Sequence, residues 1–213
     1  MLFFAETPLI ISYYTKNTPY EQEVENLRDS CKRFSIECLI EGIPDLGDWV
    51  KNCAYKPYFL KQKMEELKRP LLWVDADAVF LRPLCFEEFM FAPMAICQHA
   101  GVEDPSFAVH AGTIYINASK EGVEALNLWC YYCEEVVKKS NCIPSFLDQI
   151  GLFLLSKNNS SCIASIPGRY WKVFDRDQDG IALDEVVIEQ RQASRRFDTD
   201  EKTSISITTK VHL

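Results

Sequence analysis

The segment Leu71-Leu72-Trp73-Val74-Asp75-Ala76-Asp77-Ala78-Val79-Phe80 limits what this chain can fold into more than any other. Four apolar residues in a row, just after the helix stop Arg69-Pro70, predict a central parallel strand with both faces covered. Two carboxylates then interrupt the apolar run, and packing gives no reason for them, because burying charge is costly. Residues two apart on a strand share a face, so Asp75 and Asp77 are expected to point together into the crevice beyond the strand's carboxyl end. Open α/β sheets bind their ligands there. Two hard carboxylates are too few to cage a divalent cation. They suffice for Mg²⁺ or Mn²⁺ whose other positions go to water and substrate phosphates, and a nucleoside diphosphate is the ligand this implies. Small Ala76 leaves room for a ligand or another backbone. The bland alternative is a pair of turn carboxylates with no ligand.

Around this segment strands and helices alternate. Pro8 to Thr15 predicts a strand, Thr15-Lys16-Asn17-Thr18-Pro19 a turn, and the stretch from Tyr20 a helix with Val24, Leu27, Cys31 and Phe34 on one face. A strand at Ile36 to Ile40 and a loop with Gly42, Pro44 and Gly47 lead to a helix carrying Tyr58, Leu60, Met64 and Leu67. After the central strand, Ala78 to Leu81 is apolar too, Met94 to Cys97 and Gly112 to Ile116 read as strands, and Glu121 to Lys139 and Phe146 to Ser156 as helices. Strands near Cys162 to Ile166 and Val186 to Glu189 complete the pattern. Alternation of this kind predicts an α/β fold, a Rossmann-type, mainly parallel sheet flanked by helices.

The chain has 213 residues, 47% of them hydrophobic and 25% charged, which suits one globular domain. Its 31 acidic residues outnumber 23 basic ones for a formal charge of -8, so nothing draws it to a phosphate backbone, and no nucleic acid partner is expected. The nine cysteines are odd in number and scattered from Cys31 to Cys162, which reads as reduced thiols in the core. Met1 to Ile11 lacks a basic n-region and contains Glu6 and Pro8. No transmembrane segment is apparent, and a cytoplasmic protein is expected.

Leu72-Trp73-Val74-Asp75-Ala76-Asp77 followed by Pro83 resembles the Asp-x-Asp signature of the GT-A-type glycosyltransferases, the nucleotide-diphospho-sugar transferases. Lys56-Pro57 before it, then His110-Ala111-Gly112-Thr113-Ile114-Tyr115, Asp148-Gln149 and Ser165-Ile166-Pro167, follow in the order such enzymes show. The resemblance spans Leu9 to roughly Phe197. It implies a single GT-A-like domain over residues 1–197, with 198–213 as a polar C-terminal segment. It also implies a metal-dependent, hexosyltransferase-like activity using Mn²⁺ or Mg²⁺. The donor would be a nucleotide sugar, a UDP-sugar favoured, and the acceptor an unidentified glycan, lipid or protein.

On the same resemblance, Tyr13, Tyr14 and Thr15 would line the base and ribose pocket. Asp75 and Asp77 would reach the diphosphate through the metal, Asp75 also touching ribose. Lys56, Trp73, Ala76, Gly112, Gln149 and Arg195 would complete the donor site. Asp148, catalytic with Asp77, would be the general base of an inverting enzyme or a hydrogen-bond partner of the sugar in a retaining one; read from residues alone it is equally a helix N-cap. Many such enzymes add a metal-binding His in a late strand, but residues Val187 to Arg196 contain none. Either Glu189 or water takes that position. Arg191, Arg195 and Arg196 are either a diphosphate contact or a solvated charge run.

Two rivals remain open. A nucleotidyltransferase of similar fold is disfavoured because Thr15 to Pro19 has no glycine to cradle a triphosphate. A catalytically inactive nucleotide-sugar binder would fit the missing His. Asp175-x-Asp177-x-Asp179-Gly180 matches the start of a Ca²⁺ loop, but Val186 stands where the bidentate Glu belongs, and the stretch reads as a solvent loop over the donor. Cys130 and Cys133 fall within a core helix face, and His99 and His110 lie near strand ends, as structural residues or at the cleft border.

Overall fold

Strand β1 (Leu9–Thr15) is buried along almost its whole length because helices cover both of its faces. Leu9, Ile11 and Tyr13 join one hydrophobic cluster, and Ile10, between them, joins the other. The computed structural model describes residues 7–85, 88–99, 101–175 and 180–197, of which residues 196 and 197 are described by backbone alone. The expected tail 198–213, Asp177 and Asp179 of the acidic loop, and the Arg196 side chain lie outside the described residues.

Helix α1 (Tyr20–Arg33) carries Glu21 and Glu23 in its first turn and Lys32 and Arg33 in its last, matching the helix dipole. It packs Val24, Leu27 and Cys31 beneath one face of the sheet. β2 (Cys38–Ile43) pairs parallel to β1. Two helices follow, α2 (Trp49–Ala54), capped by Asp48 accepting from the Lys51 N–H at 2.8 Å, and α3 (Lys56–Leu67). α3 lays Phe59, Leu60 and Met64 on the opposite face and stops at Lys68, in left-handed backbone, before Pro70.

β3 (Leu71–Val74) returns beside β1 on the side away from β2. The chain thus leaves β1 for β2 over one face and crosses back to β3 over the other, opening a crevice at the carboxyl ends of β1 and β3. The remaining elements are β4 (Ala78–Phe80), β5 (Met94–Gln98), β6 (Val109–Ile116), α4 (Lys120–Ser140), α5 (Leu147–Asn158), β7 (Ile163–Ser165), β8 (Lys172–Val173), β9 (Ile188–Gln190) and α6 (Ser194–Phe197). The six-stranded sheet has the order β2-β1-β3-β6-β5-β7, and β6 alone runs against the rest. The α/β architecture and mainly parallel sheet therefore stand as expected.

Three features depart from the sequence reading. Ala78 to Phe80 is a strand but leaves the main sheet, pairing antiparallel with β9 in a small sheet β4-β9-β8. Trp49 to Ala54, read as loop, forms α2. Gly42, also read as loop, continues β2 opposite Tyr14. Cys130 and Cys133 are buried on α4, as a core helix face requires. Among the described residues no helix is long and apolar enough to cross a membrane.

Candidate active site

A buried ammonium organises the crevice. Lys56 opens α3, and its Nζ lies 2.9 Å from Asp148 Oδ2, 3.1 Å from Asp75 Oδ1 and 3.0 Å from the Ala111 carbonyl. Burial works against this charge, but Asp148 and then Asp75 outweigh it and hold the lysine well above its usual range. The same Nζ sits 5.3 Å above the Trp73 ring, whose Nε1–H donates to Asp75 Oδ1 at 2.8 Å. Lys56 and Trp73 therefore fix one oxygen of Asp75, and Oδ2 has no such partner among the described residues.

Asp75 and Asp77 do not share a strand face as the period-two argument supposed. The Ala78 N–H donates to the Asp75 carbonyl at 3.0 Å, so residues 75 to 78 form a turn, which still brings the two carboxylates together. Burial, then the nearby Asp75, raises Asp77 to about 6. Its Oδ2 accepts from the Ala193 N–H at 2.5 Å, pinning the segment after β9 over the turn. Ala76 is buried between them.

Gly112 holds the floor. Its carbonyl accepts from the Asp75 N–H at 3.0 Å, and its N–H donates to His110 Nδ1 at 3.1 Å. A Cβ at Gly112 would fall 2.5 Å from the His110 ring and 3.0 Å from Gln190. Asp148 is the second residue of α5 and not its N-cap, a position Phe146 takes; its Oδ1 accepts from the Gln149 N–H at 3.0 Å, and its carbonyl accepts from Trp129 Nε1 at 2.9 Å. Gln149 Nε2 donates to the Ser106 carbonyl at 3.0 Å.

The other expected site residues are placed differently: Tyr13 packs behind the cluster, and the rest lie away from it. Tyr13 is buried among Tyr55, Phe59 and Trp73, its hydroxyl donating to the Asn52 carbonyl, so its ring packs in the core. Tyr14, half-buried, lies against Gly42, and Thr15 accepts at its carbonyl from Thr18 Oγ1 at 2.7 Å. Glu189 faces Arg191, at 3.5 Å, and among the described residues no three His, Cys, Asp or Glu side chains are grouped to hold a metal. The expected Asp75, Asp77 and Glu189 trio is therefore not assembled. Arg195 pairs with Asp175 at 2.7 Å, tying α6 to the start of the acidic loop.

His110, expected as structural or at the cleft border, and two residues the sequence reading gave no site role, Tyr20 and Gln190, complete the cleft. Burial, and then Asp77, pushes the Tyr20 hydroxyl well up, and the Trp49 side chain hydrogen-bonds it. Gln190 donates from Nε2 to Thr113 Oγ1 at 2.9 Å and to the Gly112 carbonyl at 3.2 Å. His110 stacks at 25° to the Trp171 ring, with Nε2 3.4 Å from the Gln192 amide nitrogen.

Two solved structures with a similar fold are glycosyltransferases. One, a glycosyltransferase involved in glycosylation of the major capsid of PBCV-1, aligns with TM-score 0.63 over 91% of this chain and 96% of its own, at 12% identity. Another, mouse xyloside xylosyltransferase 1 in its apo form, aligns with TM-score 0.54 over 88% of this chain and 98% of its own, at 10% identity. The fold is thus one that glycosyltransferases use. No protein-family model and no curated sequence matches the chain.

Proposed function

We propose that the chain is a metal-dependent glycosyltransferase that moves a sugar from a nucleotide diphosphate donor, a UDP-sugar in our reading, to an acceptor hydroxyl. The observation that carries this is the Lys56 bridge, which joins Asp75 of the donor motif to Asp148 in one cleft at the switch point of the sheet. Fold-level likeness alone would not suffice, because one fold hosts many chemistries.

The residues present fit a hard divalent cation such as Mn²⁺ or Mg²⁺. Asp75 keeps Oδ2 open, and Asp77, crowded by Asp75 and by burial, gains from a neighbouring positive charge. Two carboxylates with water and phosphate oxygens meet the needs of such an ion without Glu189. When bound, the cation would stabilise the charge on the departing diphosphate. The chain's own groups do the rest. Lys56 and Trp73 hold Asp75 in one orientation, and the missing side chain at Gly112 lets His110 and Gln190 pack closely against the floor. Both oxygens of Asp148 are already engaged, by Lys56 and by the Gln149 N–H. This favours Asp148 as a fixed acceptor for a sugar hydroxyl over a base that takes up a proton.

Thermal melts with UDP, GDP and UDP-sugars in Mn²⁺ and in EDTA test the reading. A donor at a hundred times its dissociation constant adds about 2.7 kcal/mol of stability, and the shift should largely vanish in EDTA. Equal shifts without metal would remove the cation from the proposal. Binding with neither transfer nor donor hydrolysis would favour the inactive binder.

A further inference from the structure

We propose that Trp49, Phe107 and Phe146 form an acceptor subsite that stacks a pyranose ring, so that the acceptor is a glycan. The inference rests on the glycosyltransferase reading and assigns the acceptor side of the same site. The three rings come from separate elements: the first residue of α2, the loop before β6 and the residue before α5. Phe146 bridges the other two, with ring centroids 5.9 Å from Trp49 and 5.8 Å from Phe107. Trp49 is 40% and Phe107 56% exposed, whereas Trp73, Trp129 and Trp171 are at most 2% exposed. A contiguous aromatic surface left to water beside a charged cleft marks a binding surface.

Each ring is linked, through a contact or along the chain, to a residue of the candidate active site. Trp49 hydrogen-bonds Tyr20, whose hydroxyl feels Asp77. Gln149 donates to Ser106, the neighbour of Phe107, and Phe146 stands two residues before Asp148. Phe146 also has φ 61° and ψ 29°, left-handed backbone that a bulky side chain seldom adopts, and no side-chain cap begins α5 there. Strain of this kind persists where the position of a side chain matters, as in ligand clamps.

A pyranose presents an apolar C–H face bounded by hydroxyls. The ring faces suit the first, and Asp148 and Gln149, which follow Phe146 in the first turn of α5, suit the second. A lipid chain would call for an enclosed apolar channel instead. A neighbouring groove of about 560 Å³, lined in part by Leu46, Ala54, Tyr55, Tyr58, Leu147 and Glu134, contains none of the site's carboxylates.

The test uses the whole chain with UDP-sugar and Mn²⁺ against a panel of maltose, cellobiose, xylobiose, lactose and alkyl glucosides of increasing chain length. Trp49 is the tryptophan that acrylamide should quench, so protection from quenching reports occupancy of the subsite. We expect a panel disaccharide to protect Trp49 and accept sugar. Phe107→Ala should raise its KM roughly 3- to 10-fold, with donor KM little changed. Trp49→Phe, which keeps a ring, should bind the disaccharide better than Trp49→Ala. Phe146→Gly should melt no lower than the parent, since glycine accepts the left-handed backbone, yet lose acceptor affinity. Unchanged disaccharide KM in the ring variants would overturn the proposal. So would donor hydrolysis with no disaccharide accepted, or alkyl glucosides whose KM falls with chain length and ignores Phe107→Ala. Absence of any donor binding would instead overturn the glycosyltransferase reading, and donor assays without acceptor detect that separately.

Discussion

Lys56→Met takes the positive charge from between Asp75 and Asp148 and leaves an apolar stem of similar length. The Asp148 side chain is 6% exposed and would keep a buried negative charge without its counter-ion. Removing one partner of a buried ion pair costs about 3–5 kcal/mol. The Asp75 side chain is 32% exposed and retains part of its hydration, so its share is screened and the lower end, about 3 kcal/mol, is expected. At about 2–4 °C per kcal/mol for a chain of this size, the melting temperature should fall by about 6–12 °C. Melts and urea titrations in EDTA at pH 7.5 would read it. Adding Asp148→Asn to Lys56→Met should recover most of the loss, since an amide needs no counter-ion. A Lys56→Met protein melting within 2 °C of the parent, or a double variant with no recovery, would refute the view of Lys56 as the internal counter-ion.

Three further outcomes follow from the geometry. Asp77 titrates near 6 in the fold against an ordinary 3.8, so the folded state holds its proton longer and metal-free stability should fall as pH rises from about 4 to about 6. Asp77→Asn keeps an acceptor for the Ala193 N–H, should flatten that slope and should add roughly 2–3 kcal/mol at pH 7; an unchanged slope in urea titrations would reject the assignment. Gly112→Ala forces His110 and Gln190 aside and should cost about 1–3 kcal/mol together with donor affinity, and unaltered melting and UDP binding would contradict it. Glu189→Gln should leave Mn²⁺ affinity within about twofold of the parent by calorimetry, because Glu189 pairs with Arg191; a tenfold loss would restore it as a ligand.

Much of the fold was legible because its signals are local. The apolar run Leu71 to Val74 and the stop at Arg69-Pro70 mark β3 whatever the rest of the chain does, and the apolar stripes of α1 and α4 stand out at helical period. Strand direction was not legible in the same way. β6 looks like its parallel neighbours because it too is covered on both faces, and only its pairing with β3 and β5 reveals that it runs against them. α2 escaped notice because six residues are too few to establish a period, although Asp48 stood in the sequence as its cap.

The site divides along the same line. Asp75 and Asp77 were conspicuous as charges within an apolar run, but the partner that orients Asp75 lies on another helix, and Lys56 looks like any lysine opening one. At β9 the outcome turned on parity. Gln190 faces Ala78 and Glu189 faces Val79 across the β4 pairing, and in a pleated strand only one of two successive residues can turn toward β6. Two hydrogen bonds from Gln190 to Gly112 and Thr113 settle which, and they send Glu189 to the other side with Arg191. A register shift of one residue would exchange the two. A sequence pattern that contains both a Glu and a Gln cannot choose between them until the opposing strand is known. The late strand consequently contributes a neutral amide that braces the floor of the site, and on the proposed reading a cation would draw on Asp75 and Asp77 rather than on Glu189.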